Sequence, residues 1–161
     1  MLHGLAVEVA RHPDVVRFSQ RLLRAAPAGG RLGRVAALLT FVGALVDSRA
    51  RAVEGNGLDV LLDRLGLERG PAVVLGALLM AAGERARVEC TRELAFVQVE
   101  LQAADLPRLP PFARLHLRRG RYFLPLDARR GRIPLGFLPQ PVREALARRR
   151  ALLALAGGSA A

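Results

Sequence analysis

The apolar residues of this chain change their spacing near Arg87, and that change requires a fold containing both helices and a sheet. Before it, Val15, Phe18, Leu22 and Leu23 recur at helical intervals, in a helix predicted from an N-cap at Asp14 to about Ala25. Pro13 disfavours helix at the residue before it, and Pro27 with Gly29-Gly30 ends the segment. Residues 32–53 read as the longest helix. It is apolar from Val35 to Val46 except for Thr40, which predicts a central helix packed on several sides. Glu54-Gly55-Asn56-Gly57 is a turn signal, and Leu58, Leu61, Leu62 and Leu65 predict a short amphipathic helix. Pro71, suited to a first helical position, opens another that runs to about Arg85.

Beyond Arg87 the pattern shortens. Phe96–Gln102 alternates as a half-buried strand does, whereas residues 88–95 are compatible with helix or strand. Three prolines between Asp105 and Pro111 predict a stiff, extended connector. Three short apolar runs follow, at 112–117, 122–126 and 133–138, parted by Gly120 and by residues 127–131. They predict a small antiparallel meander, covered by a last helix that starts at Pro139-Gln140-Pro141 and carries Val142, Ala145, Leu146 and Leu153 on its apolar side. The expected fold class is therefore α+β. A helical bundle spans 1–87, a strand and Pro-rich connector 88–111, a small basic β-rich domain closed by a helix 112–156, and a disordered tail 157–161.

With 161 residues, 52% of them apolar, the chain can bury a core, and six Phe, one Tyr and no Trp make that core mostly Leu, Val and Ala. The single cysteine, Cys90, excludes an internal disulfide and a cysteine-based zinc site and suits a reducing compartment. The N-terminus does not read as a signal peptide, and no apolar run approaches the ~20 residues that cross a bilayer. The expectation is a soluble intracellular protein of cytoplasm or nucleus.

Enzyme chemistry is not legible in the sequence. His3, His12 and His116 lie far apart, outside metal-ligand spacing, and His116 between arginines is expected to be solvated. Cys90 has no neighbouring His in the sequence and is expected to be a buried, inert thiol. Asp59 and Asp63 read as a solvated helix face, and no strand precedes Gly29-Gly30-x-x-Gly33, which excludes a dinucleotide loop. No catalytic residue, cofactor or metal is predicted.

Charge carries the functional expectation. All 25 basic residues are Arg, and the net charge is +11. Residues 1–107 hold 13 Arg and 12 carboxylates, whereas residues 108–150 hold 12 Arg against Asp127 and Glu144. A balance of +10 confined to one third of a chain points to a polyanionic partner, nucleic acid or an acidic protein surface. Arg118-Arg119-Gly120-Arg121 and Arg129-Arg130-Gly131-Arg132 sit at predicted turns, where guanidinium groups beside glycine approach phosphates closely. Arg118, Arg119, Arg121, Arg129, Arg130 and Arg132 are the candidate nucleic-acid contacts, with Arg148-Arg149-Arg150 a third cluster.

The order of helical part, connector and small β part resembles a subunit of the GINS replication complex. The likeness is sharpest from Phe112 to Leu155, with a "Tyr-x-x-Pro" strand at Tyr122–Pro125 and Leu138-Pro139 before a closing helix; Leu39–Val53, with Arg49 and Arg51, is similar to that family's central helix. It implies a non-enzymatic scaffold among other subunits of a DNA-handling assembly. Gly33-Arg34-Val35, Phe41 and Gly43-Ala44-Leu45 resemble the first homology motif of the B-cell-lymphoma-type apoptosis regulators, with Leu32 where that motif has Trp. That likeness implies that Gly33, Arg34, Phe41 and Gly43 form a groove for a partner's amphipathic helix. Gly131-Arg132-Ile133 with Gly136-Phe137-Leu138-Pro139 is similar to the closing strand of HIRAN domains, which implies binding to DNA ends.

Overall fold

The computed structural model describes residues 1–26, 29–49, 62–92, 94–111 and 113–129. Its helices are α1 (Leu2–Arg11), α2 (Pro13–Ala25), α3 (Gly30–Arg49) and α4 (Gly70–Ala81). Strands β1 (Ala86–Cys90) and β2 (Ala95–Glu100), a 3-10 turn (Ala103–Arg108), and strands β3 (His116–Arg118) and β4 (Arg121–Leu126) follow. The class is mixed helix and antiparallel sheet. The predicted strand at 133–138, the closing helix and the tail lie outside the described residues.

Residues 2–11 carry a helix that the sequence pattern does not announce. Packing holds it: Ala6 and Ala10 are buried, and α1 lies against α4. His12, not Asp14, caps α2. It is extended (φ −66°, ψ 130°), and its Nδ1 accepts from the Asp14 N–H at 3.3 Å, while Pro13 takes the first helical position.

The central helix is α4 rather than α3. Every residue from Gly70 to Leu79 is buried, as suits a segment apolar on all sides. It ends four residues before Arg85, at a glycine stop. Gly83 has φ +84°, and the Glu84 N–H reaches back to the Leu79 carbonyl at 2.9 Å. In α3 the apolar run conceals a one-sided helix. Leu32, Val35, Leu38, Leu39, Val42 and Val46 are buried, while Arg34, Thr40, Ala44 and Asp47 face solvent. Exposed Ala44, with half-buried Ala36 and Ala37, keeps the run apolar in composition without adding to the core.

The sheet order is β1-β2-β4-β3, antiparallel throughout. Of the ambiguous residues 88–95, Val88–Cys90 end β1 and Ala95 begins β2. The register puts Val88, Val97, Val99, Leu124 and Leu126 on the face toward α4, where they join one core with residues from Ala6 to Ala128. The core therefore runs across residue 87, and β2 pairs with β4 directly. β2 was expected to be half-buried but is buried on both faces, since Phe96 and Gln98 on the second face are as enclosed as Val97 and Val99. The proline-bearing segment is not simply extended. Pro107 sits inside a 3-10 turn whose start is fixed by the Gln102 N–H donating to Asp105 at 2.8 Å.

Arg31 locks these parts together. Its Nε donates to Glu84 at 2.7 Å, its Nη1 pairs with Asp105, and its Nη2 donates to the Glu100 carbonyl at 2.6 Å. One guanidinium thus ties α3 to the end of α4, the end of β2 and the 3-10 turn.

Candidate functional site

The first predicted Arg cluster is the tip of the β3–β4 hairpin. Arg118 opposes Arg121, leaving Arg119-Gly120 as a two-residue loop. Arg119 (φ 48°) and Gly120 (φ 73°) are both left-handed, the requirement of a type I′ turn, whose twist matches that of the paired strands. An arginine in this conformation costs roughly 1 kcal/mol against glycine. Arg119 is exposed and makes no ion pair among the described residues.

The other described arginines of the site each contact a carboxylate. Arg121 pairs with Glu100 at 3.2 Å. Arg118, on one edge strand, pairs with Glu89 on the opposite edge strand. By register both residues lie on the same face, and the long Arg118 side chain reaches across the two strands between them. Arg129 clamps the fully buried Asp127 with Nε at 3.0 Å and Nη2 at 2.9 Å. Arg130 and Arg132 lie outside the described residues, as do Arg148-Arg149-Arg150. By sequence the six candidate cations are equivalent. The fold separates Arg119 from three that each have a carboxylate partner. Arg114, exposed just before β3 and also without an ion pair among the described residues, is a cation that the Arg-cluster pattern misses.

The second face of the sheet holds a buried polar pair beneath the Arg118–Glu89 link. His116 is buried, not solvated, and its Nδ1 lies 2.7 Å from Gln98 Nε2. The register explains this: His116 opposes Phe123, and both share a face with Gln98.

Residues of the expected helix-binding groove are used within the helical part. Arg34 contacts Glu84 at 3.6 Å, Phe41 packs edge-on against Phe18 with ring centroids 5.3 Å apart, and Gly43 is buried. A cleft of about 420 Å³ lies between the start of α1 and β1, lined in part by His3, Arg69, Arg87, Glu89 and Cys90. Cys90 is exposed, correcting the expectation of a buried thiol. Its thiol donates to the Thr91 carbonyl at 3.0 Å, while His3 Nδ1 accepts from the Val88 N–H at 3.4 Å. Among the described residues no group of His, Cys, Asp and Glu is placed to hold a metal ion. No single described helix is long and apolar enough to cross a membrane.

No protein-family model, curated protein or solved structure matches this chain. Its own charge and geometry are what point to a function.

Proposed function

We propose that this chain is a non-catalytic binding module, a scaffold or adaptor subunit of a nucleic-acid-associated assembly, and that the β3–β4 hairpin is its electrostatic contact. The observation that carries the reading is Arg119, presented to solvent by a type I′ turn and left without a carboxylate among the described residues. Arg114 lies close by in sequence, and the last third of the chain carries a large positive excess. A guanidinium with no internal partner can release counterions from a phosphate, whereas an ion-paired one must first give up its carboxylate. The reading rests on charge placement and does not depend on the resemblance to GINS subunits.

Fluorescence anisotropy with short labelled DNA and RNA tests it, comparing the chain with an Arg114→Ser/Arg119→Asn variant. Asparagine tolerates the left-handed conformation, so the turn is kept while the charge is removed. Binding weakened in the variant supports the reading. Binding by neither protein at low salt overturns it and redirects attention to an acidic protein surface.

A further inference from the structure

The helix-facing side of the sheet continues past the helices. Val97, Val99, Leu124 and Leu126 on that side are covered, but the next residues outward, Leu117 and Tyr122, remain 59% and 42% exposed. They oppose each other across the hairpin. The Tyr122 carbonyl accepts from the Leu101 N–H of the β2 side at 2.8 Å, so Tyr122 sits at a non-hydrogen-bonded position relative to β3, where facing side chains stand closest. The result is a small apolar ledge, an aromatic ring beside a leucine, close to Arg119 at the hairpin tip. Duplex phosphates have no use for such a ledge; an unpaired base has a π-face that stacks on it.

We propose that Tyr122, supported by Leu117, is a stacking platform and that the hairpin takes single-stranded nucleic acid, with Arg119 on the backbone. This rests on the nucleic-acid reading above and narrows it. Charge complementarity selects the occupant: a ledge beside Arg119, which makes no ion pair among the described residues, suits an anionic strand carrying exposed rings better than an apolar peptide.

Tyr122 is the only tyrosine and the chain has no Trp, so intrinsic emission reports this one ring. The whole chain is titrated with unlabelled oligo-dT and with duplex of equal length, following tyrosine emission together with anisotropy of labelled probes. Quenching by oligo-dT and not by duplex is expected. Tyr122→Ser should weaken single-strand binding about 5- to 150-fold, the range for losing one stacked base, while Tyr122→Phe retains it. Both variants change a half-exposed side chain, and far-UV circular dichroism verifies their fold. Equal binding of both nucleic acids with unchanged emission overturns the stacking site and leaves the electrostatic reading standing. Absence of binding to either overturns both.

Discussion

Gly76 of α4 faces Val88 of β1 so closely that a Cβ on the glycine stands 2.6 Å from Val88 Cγ2. This approach sets the distance between the central helix and the sheet. Valine is β-branched and stiff at χ1, so it has little room to turn aside. Gly76→Ala should destabilise the protein by about 1–3 kcal/mol, the usual range for overpacking a core. Gly33 in α3 has nothing within 4 Å of the same position, and Gly33→Ala should be neutral or stabilising by roughly 0.5 kcal/mol. Urea midpoints of the two variants check the contrast.

Arg31→Met should be among the most damaging changes to a charged residue. It strands Asp105, whose side chain is 9% exposed, and leaves Glu84, 5% exposed, with only the 3.6 Å contact to Arg34. Removing one partner of a buried ion pair typically costs about 3–5 kcal/mol. Adding Glu84→Gln and Asp105→Asn removes the stranded charges and should restore part of the stability. Chemical denaturation of the single and triple variants measures it, and no recovery in the triple variant would mean that Arg31 acts through packing rather than charge.

The hairpin turn separates stability from binding. Arg119→Gly should be stabilising by up to roughly 1 kcal/mol, because glycine accepts the left-handed conformation freely. Arg119→Val should destabilise by about 1–2 kcal/mol, since a β-branched residue resists a φ of 48°. Thermal unfolding reads the difference, and both variants remove the same charge.

Much of this fold is legible in the chain. Pro71 opens α4, the alternation at residues 96–102 gives β2, and Gly120 gives the β3–β4 turn, whereas the stop at Gly83 is not read and the helix is expected to reach about Arg85. What escaped has physical causes. α1 has a mixed sequence and is held by α4, which lies about 60 or more residues away along the chain. The apolar run of α3 includes exposed Ala44 and half-buried Ala36 and Ala37, so periodicity blurs there. For the candidate site, the sequence locates the Arg clusters but not their partners. Arg118 and Glu89 are 29 residues apart and meet only because the strand order and register put both on one face of the sheet. Likewise, Tyr122 belongs by sequence to the apolar run at 122–126. Its exposure follows from where the helices stop covering the sheet.

The sharpest check on the hairpin as a nucleic-acid contact is the salt dependence of binding. Association constants of the whole chain for a labelled single strand would be measured across a salt series, beside Arg114→Ser/Arg119→Asn. The logarithm of the constant should fall linearly with the logarithm of salt concentration. The variant's slope should be shallower by about 0.7 for each single-strand phosphate that no longer meets a guanidinium. A slope near zero, or a slope identical in the two proteins, would contradict the assignment of the hairpin to nucleic acid.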